Sequence, residues 1–292
     1  MMVLGFNSSH PEARLLAEAL NAPYETIEVH RFPDGESRVK VPAPLPETVV
    51  FFLSLNDPNA KLIELILAVK ASRKQGCAQA ILVAPYLCYM RQDIEFEPGQ
   101  AVSQLIIGEL LSDYLDGVIT VDPHLHRIHD LSESFIHAKT ESLLAASLIG
   151  SYLKDGPEDR ILVGPDEESE QWVQAAALTS GLPFCVASKQ RRGDRDVEVA
   201  LPPVDFSGKH VVLLDDVISS GFTIQQAAIE LIKAGCTQVD AACTHALFAP
   251  GAMEALQQAG VTDIISCNSI PHNTNRIDLS PLLAGAVLRM VG

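Results

Sequence analysis

The sequence predicts an α/β fold of two tandem domains, each a mainly parallel sheet flanked by helices. Two observations predict it. Short apolar runs alternate with segments of helical period along the chain, which implies parallel strands covered by helices on both faces. The two halves repeat this scheme at similar size within 292 residues, enough for two domains of ordinary length.

In chain order, the N-terminal Met1–Phe6 stretch is strand-like, and Val49–Leu53, Ile81–Ala84 and Val118–Val121 read as buried strands. Between them, Leu62, Ile63, Ile66 and Val69 place an apolar stripe on one helix, and Leu105, Ile106, Leu110 and Leu111 place one on another. In the second half, Ile161–Val163, Val211–Leu214, Val239–Cys243 and Ile264–Cys267 read as strands, with helices over Glu170–Leu178, Thr223–Ala234 and Ala252–Ala259. Ala138–Lys154 has a helical pattern and runs into Asp155-Gly156-Pro157, a turn signal. This sets the expected domains at 1–145 and 146–292.

Composition narrows the function classes. Hydrophobic residues make up 47% and charged residues 20%, as in a well-buried globule. No apolar run reaches the ~18 residues of a membrane helix. The N-terminus lacks a basic segment and a cleavage site, so a cytoplasmic protein is expected. A net charge of −16 argues against nucleic acid as a partner. The six cysteines form no C-x-x-C pair and sit mostly in apolar stretches; reduced core thiols are expected rather than disulfides or a zinc site.

The strongest local signal is Val211–Thr223. An apolar strand ends in Asp215-Asp216, followed by Val217-Ile218, the small polar loop Ser219-Ser220-Gly221 and the helix from Phe222-Thr223. Loop N–H groups at a helix N-terminus attract anions. Ser219, Ser220 and Thr223 add hydroxyl donors, and two carboxylates at a strand's carboxyl end suit sugar hydroxyls. Two acids alone would fit an ordinary capped turn; here acids, loop and helix occur together. The segment resembles the phosphoribosyl-pyrophosphate fingerprint of phosphoribosyltransferases and ribose-phosphate pyrophosphokinases. The resemblance implies that Asp215 and Asp216 hold ribose hydroxyls and that Ser219, Ser220, Gly221, Phe222 and Thr223 hold the 5-phosphate. Phe222 departs from the usual small residue, so its side chain must point away from the phosphate.

The first half separates those two classes. Arg31-Phe32-Pro33-Asp34-Gly35-Glu36 and Pro85-Tyr86-Leu87-Cys88-Tyr89-Met90-Arg91-Gln92-Asp93 resemble two elements of the pyrophosphokinases, in the family's order. Phe32 is able to stack on adenine, Asp34 and Glu36 to accept from its amino group or the ribose, and Arg91 to offer a planar fork to phosphate. Without the resemblance, Pro33-Asp34-Gly35 would read as a surface turn and Tyr86 and Tyr89 as packing. The resemblance implies that Phe32, Asp34, Gly35, Glu36, Arg91, Gln92 and Asp93 bind ATP. It further implies an adenine pocket shared between subunits, hence a homodimer or larger oligomer.

Asp122-Pro123-His124 resembles the family's Asp-x-His element, which implies that His124 helps hold a magnesium–ATP complex. A role through water or phosphate suits it, since magnesium prefers oxygen ligands. His126, His129 and His137 have no such match and are expected at the surface. Asp166, in Gly164-Pro165-Asp166, matches a magnesium contact. The following Glu167, Glu168 and Glu170 replace the family's small residues and are read as helix-capping acids. Lys189-Gln190-Arg191-Arg192-Gly193-Asp194-Arg195 concentrates cations in an acidic chain and resembles the family's flexible catalytic loop, with Lys189 and Arg191 on its essential pattern.

The resemblance thus implies Mg2+-dependent transfer of a pyrophosphoryl group from ATP to ribose 5-phosphate, in two phosphoribosyltransferase-type domains. A phosphoribosyltransferase would leave Phe32–Glu36 and Arg91–Asp93 unexplained. A non-catalytic regulatory paralogue would account for the acidic Glu167–Glu170 loop, but not for Lys189 and Arg191.

Overall fold

The computed structural model of the protein describes residues 1–292 except 126, 129, 158 and 192–196, with side chains not described at 189–191, 197 and 198. The chain forms two units: Met1–Leu143 with Leu279–Gly292, and Leu144–Asp278.

The first unit contains β1 (Met2–Phe6), α1 (His10–Ala19), β2 (Tyr24–Arg31), β3 (Ser37–Lys40), β4 (Thr48–Phe52), α2 (Pro58–Lys74), β5 (Gln79–Ala84), α3 (Ser103–Ser112), β6 (Gly117–Val121) and β7 (Lys139–Leu143). Its seven-stranded sheet runs β3-β2-β1-β4-β5-β6-β7, parallel except for the antiparallel edge pair β2–β3. The β-branched and aromatic residues of β4 and the apolar run of β5 are buried on both faces, as central parallel strands require. Strand order reverses at β1/β4, so loops at the carboxyl ends of the strands open on a crevice there.

The second unit contains α4 (Ala146–Lys154), β8 (Arg160–Gly164), α5 (Glu170–Ser180), β9 (Phe184–Val186), β10 (Ser188–Arg191), β11 (Val197–Ala200), β12 (His210–Ile218), α6 (Phe222–Lys233), β13 (Gln238–Ala246), α7 (Ala252–Gln258), β14 (Val261–Cys267) and β15 (Asn275–Ile277). Its six-stranded parallel sheet runs β15-β14-β13-β12-β8-β9, and β10–β11 form a separate antiparallel ribbon. The order reverses between β8 and β12, so the loops after these two strands flank the ligand-binding crevice of the sheet.

The strands and helices expected from apolar runs are present, with four differences. The helix expected over Ala138–Lys154 is divided. Lys139–Leu143 pairs along β6 as a parallel edge strand, and only Ala146–Lys154 is helical; pairing with the sheet overrides local pattern. The final helix α8 (Ser280–Val291) packs on α1, β6 and β7 of the first unit, whereas the sequence reading placed it with the second. Its Arg289 donates to Glu141 of β7, and its Met290 lies where a side chain on Gly117 would sit. On α2 the buried apolar positions are Leu62, Leu65, Ala68 and Val69, with Ile63 and Leu67 exposed. On α3 Leu111 is buried, while Leu105 and Ile106 are exposed.

All six cysteines are free thiols. Burial pushes the Cys88 thiol up to about 12 and that of Cys185 up to about 11, which makes both poor nucleophiles. Among the described residues, no helix is long and apolar enough to cross a membrane.

Candidate active site

In the first unit, Phe32–Glu36 is the turn joining β2 to β3. The Phe32 N–H donates to the Glu36 carbonyl at 2.8 Å and the Gly35 N–H to the Phe32 carbonyl at 3.0 Å. Gly35 has φ +94°, a left-handed conformation that glycine adopts without strain, and Asp34 Oδ1 accepts from the Glu36 N–H at 3.1 Å. Phe32, Asp34 and Glu36 are exposed. The Phe32 ring stands edge-on to His30, with centroids 4.8 Å apart.

The base of this turn is held from α2. Glu64 is buried, and its Oε1 accepts from Arg31 Nε at 2.9 Å and from Ser37 Oγ at 2.8 Å. Arg31 and Ser37 face each other across the β2–β3 ladder. One turn earlier on α2, half-buried Lys61 donates to the Ser54 carbonyl at 2.7 Å and to Asn56 Oδ1 at 2.8 Å. Burial lowers its ammonium pKa.

The loop after β5 carries Arg91, Gln92 and Asp93. It rests on the β4–α2 loop and the start of α2: the Leu55 N–H donates to the Tyr86 carbonyl at 2.9 Å, and the Tyr89 hydroxyl donates to Asn59 in the first turn of α2. Arg91 is exposed and Gln92 half-buried, with Gln92 Nε2 donating to Gln100 at 3.4 Å. Asp93 differs in character. Its carboxylate is fully buried and bonded to Arg127 at 2.7 Å, so it braces this loop against the one after β6. His124 lies half-buried in that second loop, beyond Asp122. His137 is exposed, as expected, and His126 and His129 lie outside the described residues.

In the second unit, Asp166 follows β8 and is buried. Its carbonyl accepts from Ser169 Oγ at 2.5 Å and from the Ser169 N–H at 3.2 Å. Glu167 and Glu168 sit in the first turn of a short 3-10 segment and Glu170 begins α5; all three are exposed. Acids at helix starts favour the positive end of the dipole.

Asp215 and Asp216 lie near the carboxyl end of β12, across the strand reversal from Asp166. Burial, then the neighbouring carboxylates of Asp216 and Asp166, hold the Asp215 carboxyl well above the usual range. The strand then enters Ser219-Ser220-Gly221, with Gly221 at φ +72°. A β-carbon on Gly221 would lie 3.2–3.3 Å from Leu256. The loop is braced by the Phe248 N–H on the Ile218 carbonyl at 3.0 Å and the Ala249 N–H on the Ser219 carbonyl at 2.9 Å. Phe222 begins α6 and is 55% exposed, its ring turned to solvent, and half-buried Thr223 follows it. The result is a cradle of backbone donors and hydroxyls at a helix N-terminus beside three carboxylates.

Lys189 and Arg191 lie on β10, opposite Val199 and Val197 of β11. Their side chains, and residues 192–196, lie outside the described residues.

Glu64, Lys61, Asn59 and Arg127 escaped the sequence reading. Glu64 was detectable as a lone acid inside the apolar run Leu62-Ile63-Glu64-Leu65-Ile66-Leu67. Arg127 carried no such signal.

A parallel sheet whose strand-order reversal is flanked by a strand–two acids–small loop–helix segment defines a phosphoribosyltransferase-type unit. Residues 1–114 match the N-terminal domain of ribose phosphate pyrophosphokinase, and residues 135–281 match the phosphoribosyl transferase domain. The chain belongs to the ribose-phosphate pyrophosphokinase family. It is 35% identical to the ribose-phosphate pyrophosphokinase of Methanopyrus kandleri, with 100% of each chain covered. It is 34% identical to ribose-phosphate pyrophosphokinase 2 of Archaeoglobus fulgidus, over 97% of this chain and 99% of that one. The fold matches the crystal structure of phosphoribosylpyrophosphate synthetase from Mycobacterium smegmatis with a TM-score of 0.83 at 23% identity, covering 99% of this chain and 98% of that one.

Proposed function

We propose that the protein transfers the pyrophosphoryl group of ATP to the 1-hydroxyl of ribose 5-phosphate, giving phosphoribosyl pyrophosphate and AMP. The observation that carries this reading is the Asp215–Thr223 segment at the strand-order reversal of the second sheet, in a chain whose whole length matches ribose-phosphate pyrophosphokinases.

In this reading the loop Ser219–Thr223 takes the 5-phosphate through backbone N–H groups and hydroxyls, and Asp215 and Asp216 accept from the ribose hydroxyls. The exposed Phe32–Glu36 turn receives the adenine and its ribose, and Arg91, Gln92 and His124 face the polyphosphate. Asp93 acts by bracing that loop. The anomeric oxygen forms a bond to the β-phosphorus, the β-phosphorus–oxygen bond to the α-phosphate breaks, AMP leaves with that oxygen, and the hydroxyl proton passes to solvent. Lys189 and Arg191 stabilise the charge on the transferring group. Residues 1–145 carry the ATP elements, and 146–292 the sugar-phosphate loop and the cationic arm.

Magnesium fits the second unit's chemistry. Burial, then the nearby Asp216 and Asp166 carboxylates, raise the Asp215 carboxyl, and a cation beside these acids and the phosphate cradle would offset their charge. Among the described residues, no three His, Cys, Asp or Glu side chains are grouped to hold a metal by themselves. Magnesium commonly takes one or two carboxylates and completes its shell with phosphate oxygens and water. Asp166 would hold it in the second unit and His124 would act through water or phosphate; when bound, the ion neutralises phosphate charge.

We also propose a cytoplasmic homo-oligomer, at least a dimer. Ile63 and Leu67 on α2 and Leu105 and Ile106 on α3 are exposed apolar residues. Both helices follow crossovers that step the same way along the sheet, so right-handed connection puts them on one face. Exposed apolar side chains on two helices of one sheet face fit burial against a second copy.

The test is incubation with ATP, ribose 5-phosphate and magnesium, scored for AMP. Lys189→Ala should abolish AMP formation and leave the protein folded by circular dichroism. Consumption of phosphoribosyl pyrophosphate with a purine or pyrimidine base, without AMP formation from ATP, would replace this reading with the transferase one.

A further inference from the structure

We infer that Glu64 is a positioning residue for ATP: its buried carboxylate clamps the base of the Phe32–Glu36 turn and sets where the nucleotide-facing side chains stand. The inference rests on the ATP reading of that turn given above.

A two-stranded antiparallel ribbon of four residue pairs at a sheet edge is weakly determined by its own hydrogen bonds. This one carries its functional groups on an exposed tip, where backbone bonds alone fix neither twist nor tilt. Arg31 and Ser37 are the last ladder pair before the tip. Both donate to the same Glu64 oxygen, at 2.9 and 2.8 Å. One acceptor thereby closes a triangle on both strands at the point where they diverge into the turn. The Glu64 side chain is only 6% exposed while Arg31 is 61% exposed. The clamp is therefore anchored on the helix side and reaches outward.

The anchor is itself rigid. Glu64 lies between Leu62 and Leu65, which are buried in the first unit's core. Three residues before it, Lys61 pins the β4–α2 loop through Ser54 and Asn56, and Asn59 in the first turn of α2 accepts from Tyr89. The opening turns of α2 therefore contact both ATP elements: the Phe32–Glu36 turn through Glu64, and the Arg91 loop through Asn59 and Tyr89. The buried acid carries a charge into the core edge. Its two charge-assisted or hydroxyl bonds offset that cost only while both donors stay in place. The result is an all-or-none seat for the turn.

The experiment compares wild type, Glu64→Gln and Ser37→Ala in the full-length protein. Glu64→Gln keeps shape and an acceptor oxygen but removes the charge. Amide hydrogen exchange without nucleotide is read over residues 31–37, and KM for ATP, KM for ribose 5-phosphate and kcat are read in the AMP assay. We expect faster exchange over 31–37 with α2 and β4 unchanged. We also expect an ATP KM raised about tenfold, as two charge-assisted bonds fall to neutral strength, with kcat and the ribose 5-phosphate KM within about twofold of wild type. Ser37→Ala should give the same pattern at smaller size. Unchanged exchange over 31–37 in Glu64→Gln overturns the clamp, and unchanged ATP KM despite faster exchange overturns the positioning role. A wild type that forms no AMP defeats the proposed activity instead, an outcome distinct from both.

Discussion

Arg127 donates to the fully buried carboxylate of Asp93 at 2.7 Å, joining the loop after β5 to the loop after β6. The other Asp93 oxygen has no hydrogen-bond partner among the described residues, so the buried charge depends on this one contact. Arg127→Met should destabilise the protein by about 3 kcal/mol, the cost of stranding a buried ion. Thermal unfolding measures it. Adding Asp93→Asn to Arg127→Met should recover part of the loss, because the stranded charge is then gone.

Asp215 is held protonated to unusually high pH by burial and by Asp216 and Asp166. Its folded-state pKa lies above its unfolded value. The associated stability is therefore fully present below the ordinary carboxylate pKa of ~4. It is lost as pH rises towards the raised folded value. Unfolding of the ligand-free protein should show that decline, and Asp215→Asn should flatten it. At neutral pH the variant should be more stable than wild type by about 1 kcal/mol while losing AMP formation. A variant with unchanged stability and an unchanged pH profile would contradict the assignment.

Gly221 combines φ +72° with a β-carbon position 3.2–3.3 Å from Leu256. Gly221→Ala should cost about 1–2 kcal/mol through backbone strain and crowding. Because the strained residue belongs to the phosphate loop, the ribose 5-phosphate KM should rise more than the ATP KM. Equal rises would mean that the loop is not the sugar-phosphate cradle.

Ile63 and Leu105 project from α2 and α3 into solvent, with 58% and 45% of their surface exposed. Replacing both with Asp should leave the fold intact and shift the protein to a slower-sedimenting species. Sedimentation velocity at several concentrations is the check. A double variant that sediments with wild type would remove this face from consideration as the subunit contact.

The central strands were legible because a strand buried on both faces must be continuously apolar, as Val49–Phe52 and Ile81–Ala84 are. Asp215–Thr223 and Phe32–Glu36 were legible through their resemblance to family elements; turn chemistry alone marks Pro33-Asp34-Gly35 only as a surface turn. The edges were not. β7 carries Lys139, Thr140, Glu141 and Ser142, and nothing in that run marks a strand until β6 is there to pair with it. Apolarity alone marks the α2 and α3 stripes, and it does not tell a face turned to the sheet from one turned to a partner. Glu64 and Arg127 take their roles from donors or acceptors 27 to 34 positions away in sequence, and no local pattern encodes such a pairing.

The return of α8 to the first unit has a consequence for biosynthesis. During translation, Leu144–Asp278 leaves the ribosome as an uninterrupted stretch and has all its parts before the chain ends. The earlier-made unit waits with one flank of β6 and α1 uncovered until the final helix emerges. A ribosome stalled with Asp278 out but Leu279–Gly292 still inside would therefore hold a finished later unit and an unfinished earlier one, reversing the usual N-to-C order of maturation. Removing Ser280–Val291 would injure the unit built mainly from residues 1–143.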